Sequence, residues 1–272
     1  MELIEFLNRI HMVQPAVELL KQLAASESMK ENQYLQNKML YKTNRQEFYE
    51  KIKLHKDYRL QFLYYFCRMG AEAYEDYKER EIGDEIFDDT FYDLTLWCEN
   101  CFQEYGEYGI NEYDWFFRHF DLQVFRLGRL EFEKTGSPWE IHGADWKTKK
   151  DDPIICVHIP QGEKLIPKAV EHSLKKGKNF WGEDLPYLCH SWLLYPKLKE
   201  VLSEKSNILQ FQKYFQLVDI DFEEKEAEWR IFGRLEENPK KYPESTSLQK
   251  NAKRYLQSGK KLGNGLGLLK EL

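Results

Sequence analysis

The sequence predicts an α+β protein in two parts: an all-α N-terminal domain over residues 1–120, packed on a mixed β-sheet domain with flanking helices over residues 121–272. Three observations carry that reading. The first 120 residues contain one proline, Pro15, and their apolar positions recur at helical spacing. After Phe120 the pattern changes to short apolar runs alternating with helical segments. Charge divides at the same place: residues 1–120 hold 14 basic and 23 acidic residues, whereas residues 121–272 hold 26 and 23, which suggests different jobs for the two regions.

In the N-terminal region Leu3, Phe6, Leu7 and Ile10 form one apolar stripe, Val17, Leu20 and Leu23 a second, and Phe62, Tyr65, Phe66 and Met69 a third. Pro15 suits the first turn of the second helix, and Thr43 with Gln46 fits a capping box before EFYEKIKL. Leu94, Trp97, Cys98, Cys101 and Phe102 line a longer helix from about Asp84 to Tyr105, ended by Gly106 and Gly109, and NEYDWFFRHF adds a last short helix. Beyond Phe120, VFRLGRLEF (124–132) and PWEIHG (138–143) read as antiparallel strands joined by the turn KTGS. IICVHI is the next strand, 167–180 a helix, YLCHSWLL (187–194) a strand and PKLKEVL a short helix. ILQFQKYFQLVDIDF (208–222) reads as a long strand with AEWRIFG (227–233) as its partner, and QKNAKRYLQ as a helix before LGNGLG. That order requires a mixed sheet with a right-handed crossover through the helix at 167–180.

Bulk properties narrow the function. At 272 residues, 42% apolar and 15% aromatic, the chain can fill real cores. No stretch approaches the roughly 20 apolar residues of a membrane span, and MELIEFLNRI lacks a basic n-region, so the expectation is a cytoplasmic protein with no membrane partner. Five scattered cysteines read as reduced thiols. Residues 72–114 carry 15 acids against 2 bases, which disfavours nucleic acid, while 240–272 carry 8 bases against 2 acids, leaving room for a compact anionic ligand.

The words LWCENCFQEYGEYGINEYDWFFRHF, VFRLGRLEFE, HIPQGEKL, LCHSWLL, SNILQFQKYFQLV and TSLQ resemble the two-part bacterial acyltransferases that join a helical N-acyltransferase N-terminal domain to a GNAT-like C-terminal domain. The similarity covers the chain from about residue 85 onward and is more diffuse before it. It implies the GNAT fold and transfer of an acyl group from acetyl-CoA or another acyl-CoA to an amine. One departure stands out. The wider superfamily carries Gln or Arg, two residues, Gly, one residue, then Gly or Ala after the central strand, whereas Gln161-Gly162-Glu163-Lys164-Leu165-Ile166-Pro167 keeps the Gln and one Gly without the spacing.

Under the resemblance, acyl-CoA places its diphosphate at the 161–168 turn, on Gln161, Gly162, Lys164, Lys168 and the helix opening at Pro167, with its thioester between the strands ending near Ile159 and Leu194. The same residues also fit an ordinary strand-to-helix connection. His158 and His190 sit near strand ends where a base would meet an amine, and each also fits a satisfied core histidine. Glu131 is a third candidate base, or the ion-pair partner of Arg129. Ser191 points away from its neighbour His190, which argues against a Ser-His nucleophile. Cys98 and Cys101 lie inside a helix and read as core, so no metal site is expected. Gly263, Gly265 and Gly267 follow a helix and read as a flexible tail, from which Lys260 and Lys261 reach an anionic ligand. The acidic helix at 85–105 would attract a cationic amine, or is a solvated face. Two other readings remain: a degenerate GNAT fold serving as a non-catalytic binding or interaction module, and a hydrolase using Ser191 or a cysteine.

Overall fold

The computed structural model describes residues 1–26, 31–142 and 146–271. They form two compact units, Met1–Arg126 and Leu127–Leu272.

The first unit contains α1 (Leu3–Arg9), α2 (Gln14–Ala24), α3 (Glu31–Thr43), α4 (Arg45–Lys53), α5 (Tyr58–Glu79), α6 (Asp84–Tyr105) and α7 (Phe117–Phe120), and closes with strand β1 (Val124–Arg126). Aromatic packing dominates its core: Phe6, Phe62, Phe66, Phe87, Phe91 and Phe116 are fully buried. Pro15 lies in the first turn of α2, and Gly106 ends α6 in the left-handed conformation that a side chain resists. The cap of α4 differs from expectation. Asn44, one residue after Thr43, accepts from the Glu47 amide at 3.2 Å, while the Thr43 hydroxyl turns back to the Met39 carbonyl at 2.9 Å. Cys98 and Cys101 are core residues of α6 as expected.

The second unit is built on β2 (Glu131–Gly136), β5 (Pro153–His158), β6 (Tyr187–Ser191), β8 (Asn264–Leu269) and β7 (Phe215–Asp221), in that lateral order, with a separate hairpin of β3 (Ile141–His142) and β4 (Lys147–Thr148). β5 and β6 are parallel, joined through α8 (Pro167–Trp181); the other neighbouring pairs are antiparallel. Helices α9 (Asn207–Phe211), α10 (Glu226–Phe232) and α11 (Ser247–Gln257) complete the unit.

One face of the sheet packs on α8. Gly177 permits that closeness, because a Cβ there would stand 2.4 Å from the Phe132 ring. The other face is covered by the hairpin, with Ile141 and Trp146 against Ile154, Leu188 and Leu266.

Several strand and turn expectations give way, YLCHSWLL among them, whose strand stops at Ser191 before a 3-10 turn at Trp192–Leu194. VFRLGRLEF is broken between β1 and β2 by a turn in which Gly128 takes φ +87°, the Leu127 amide donates to the Leu130 carbonyl at 3.0 Å, and Ser173 of α8 grips both ends. KTGS is not a hairpin turn: Lys134, Thr135 and Gly136 pair with Ile155, Ile154 and Pro153 inside β2. PWEIHG contributes only the short β3, and its last residue, Gly143, lies outside the described residues. The 208–222 run starts as α9 because Ser206 accepts from the Ile208 amide and caps it, so the strand begins only at Phe215.

AEWRIFG is helix α10, with Glu226 and Glu228 in its first turn and Gly233 closing it at φ +70°. The supposed flexible tail is β8, inserted between β6 and β7. Its glycines serve close packing: a Cβ on Gly265 would lie 2.6 Å from the Leu194 carbonyl oxygen, and one on Gly267 2.8 Å from Leu194 Cδ1.

Candidate active site

The parallel strands β5 and β6 pair only through Ile155–Tyr187 and Cys156–Leu188. Beyond those positions each turns to its other neighbour: Val157 and His158 pair with Phe132 and Glu131 of β2, and Cys189, His190 and Ser191 with Gly267, Leu266 and Gly265 of β8. The sheet therefore opens between the C-terminal ends of β5 and β6. Side chains alternate along a strand, so two residues past the last paired position His158 and His190 stand at the same level on the same face. The sequence placed both histidines at strand ends; the structure brings them to the two lips of one opening.

Each imidazole is backed by a carboxylate. His158 Nε2 lies 2.8 Å from Glu133 Oε2, whose side chain is 8% exposed, and His190 Nε2 lies 2.5 Å from Asp221 Oδ2. An ionised carboxylate only accepts, so in each pair Nε2–H donates, and in a neutral imidazole that leaves the lone pair on Nδ1. His190 is the more open of the two, with 43% of its side chain exposed. Glu131 is buried on the same face as the Cα partner of His158.

Sequence reasoning missed Glu133 and Asp221. For Glu133 a signal existed: in Glu131-Phe132-Glu133 the two acids share a strand face. For Asp221 none did, because its partner is 31 residues away and on a strand that is not its neighbour.

The segment between β5 and α8 forms an exposed turn over Gln161–Lys164, with Ile159 half-buried at its start and Lys168 exposed in the first turn of α8. Gly162 takes φ +105°, a conformation that L side chains rarely adopt. Ile166 caps α8 with extended backbone, Pro167 occupies the first turn, and that turn contains no acid. Arg129 reaches this turn: it is 5% exposed, and its Nη2 donates to the Glu163 carbonyl at 2.7 Å. A buried guanidinium thus fixes the turn from below, beside a helix N-terminus whose first amides have no partner within the helix.

Ser191 has a structural role. Its Oγ accepts from the Leu193 amide at 3.2 Å, capping the 3-10 turn Trp192–Leu194. Cys189 is buried in the same strand, and burial raises its thiol well above the ordinary range. Neither is disposed as a nucleophile.

A mixed sheet whose central parallel strands part beside a glycine turn and a helix N-terminus, with imidazoles at the opening, is the architecture of a GNAT-type acyltransferase. The chain belongs to that family. Residues 1–122 match the N-acyltransferase N-terminal domain, and residues 124–269 match the GNAT-like C-terminal domain.

Among solved structures, an acyltransferase in complex with decanoyl-CoA and teicoplanin is similar over 99% of this chain and 87% of that chain, with a TM-score of 0.76 at 22% identity. An acyltransferase mutant in complex with octanoyl-CoA gives 0.76 at 22% identity over 98% of this chain and 87% of that one. An acyltransferase in complex with CoA and 10C-teicoplanin gives 0.75 at 22% identity over 99% and 87%. No curated protein matches the chain. Among the described residues, no helix is long and apolar enough to cross a membrane.

Proposed function

We propose that the protein transfers an acyl group from acyl-CoA to an amine, with residues 121–272 as the catalytic domain and His190 as the base. The observation that carries the reading is the opening between β5 and β6, with a carboxylate-backed imidazole on each lip. The acyl-CoA complexes of the structural neighbours support the donor class.

The diphosphate sits at the Gln161–Lys168 turn, held by amides made accessible by Gly162, by the α8 N-terminus, and by Lys164 and Lys168. The thioester enters the opening past Ile159, where an amide near His158 polarises its carbonyl. The amine nitrogen attacks the carbonyl carbon and its proton passes to Nδ1 of His190. The C–S bond then breaks, and the CoA thiolate leaves to take up a proton. Asp221 keeps the second proton of His190 on Nε2, and His158 with Glu133 and Glu131 forms the other wall. Ser191 as a cap and two imidazoles with intact partners do not favour a hydrolase or a non-catalytic module.

Thermal unfolding against acetyl-, propionyl- and longer acyl-CoAs, with free CoA as control, tests the donor site. A ligand at 100 times its dissociation constant adds about 2.7 kcal/mol to the folded state, a shift of several degrees. Gly162→Trp removes the shift, whereas His190→Ala keeps it and loses turnover. No shift with any of them at millimolar concentration refutes the donor site.

A further inference from the structure

The hydrogen bond between His190 and Asp221 spans a strand. β8 lies between β6 and β7, so the two side chains meet across two inter-strand spacings, roughly 10 Å, over the top of β8. In register, His190 stands opposite Leu266 and Asp221 opposite Asn264. The bond therefore runs diagonally between those two β8 side chains, and Asn264 shares its face. Asn264 is 0% exposed, and neither its Oδ1 nor its Nδ2 has a hydrogen-bond partner among the described residues.

An amide in that state contributes nothing to the ligand-free fold that leucine, of similar size, would not contribute better, since its desolvation is uncompensated. Such a group persists where the working state needs it, at the expense of stability. The titratable groups of the sheet on this face are Asp221 and Asp219 of β7 and His190 of β6, with His158 of β5 and Glu131 and Glu133 of β2 beyond.

We propose that Asn264 is a positioning residue for proton transfer at His190. When His190 takes up the proton of the amine, Nδ2 of Asn264 donates to the Asp221 carboxylate and holds it in line with Nε2–H, so that Nδ1 remains the nitrogen presented to the acceptor. The inference rests on His190 as the base, and its test is chosen to separate the two.

The imidazole nitrogens of His190 are titrated by ¹⁵N NMR in the ligand-free full-length chain, wild type against Asn264→Leu, alongside unfolding midpoints and acyl-transfer kinetics. Asn264→Leu is expected to unfold at or above the wild-type temperature. Its His190 midpoint falls by half a pH unit or more, and kcat drops about tenfold with KM for acyl-CoA unchanged. Placed on Asp221→Asn, the same substitution causes no further loss.

An unchanged His190 titration and kcat overturn the inference. So does a fall of several degrees in the unfolding midpoint, which would show that the amide serves the fold. The titration needs neither donor nor acceptor, so a shifted midpoint in a chain without acyl-transfer activity refutes the function and leaves the positioning role standing.

Discussion

Ser173 of α8 offers the most direct link between packing and the site. It is fully buried; its Oγ donates to the Leu127 carbonyl at 2.6 Å and accepts from the Leu130 amide at 2.9 Å. These are the two ends of the turn that aims β2, and β2 carries Glu131 and Glu133 to His158. Ser173→Ala removes one methyl-sized hydroxyl and strands two buried backbone groups. Each such group costs about 1–3 kcal/mol. Allowing for partial re-pairing between them, the loss is roughly 2–4 kcal/mol, and at about 2–4 °C per kcal/mol the midpoint falls by roughly 4–16 °C. Urea unfolding reads the free energy, and hydrogen exchange of the Leu130 amide locates it, since that amide should lose protection more than the Val170 amide in the first turns of the same helix. A loss below about 0.5 kcal/mol, within the noise of surface substitutions, would refute the claim that this hydroxyl secures the turn.

Glycine contacts and thiols give three further tests. Gly265→Ala directs a Cβ to within 2.6 Å of a backbone oxygen at Leu194, which cannot rotate away, so a cost of about 3 kcal/mol is expected in urea unfolding; a neutral variant would contradict the packing of β8. Gly177→Ala meets the Phe132 ring at 2.4 Å, and should cost about 1–3 kcal/mol because an aromatic ring in a packed core yields only in part. Cys98 and Cys101 are buried, with thiols pushed up to about 12 by desolvation, and Cys67 and Cys189 are displaced in the same direction. A thiol reagent at pH 8 should therefore label at most one cysteine per native chain, the half-buried Cys156, and all five after denaturation. Labelling of two or more in the native protein would show that the cores open.

Local signals in the sequence determined a good deal. Helical spacing of apolar residues marked the stripes of the N-terminal region, Pro15 and Gly106 marked helix ends, and the IICVHI strand, the Gly162 turn and α8 followed from short-range chemistry. His158 and His190 were legible as candidates because strand ends present side chains at an opening.

Where helix and strand patterns overlap, in ILQFQKYF and AEWRIFG, hydrophobicity alone could not decide. The caps Ser206 and Gly233 decided them, each a single residue. The glycines of β8 looked like freedom in the sequence and are crowding in the structure, since the atoms that forbid a Cβ belong to Leu194 and Phe215, far along the chain.

The partners of the two imidazoles were decided by tertiary structure alone. Asp221 reaches His190 only because β8, the last strand made, inserts between the two strands that carry them, and Asn264 comes to lie beneath their bond by the same insertion. Spacing along a chain encodes which residues share a face; which strands become neighbours is settled by the burial of whole faces, a property no short stretch contains.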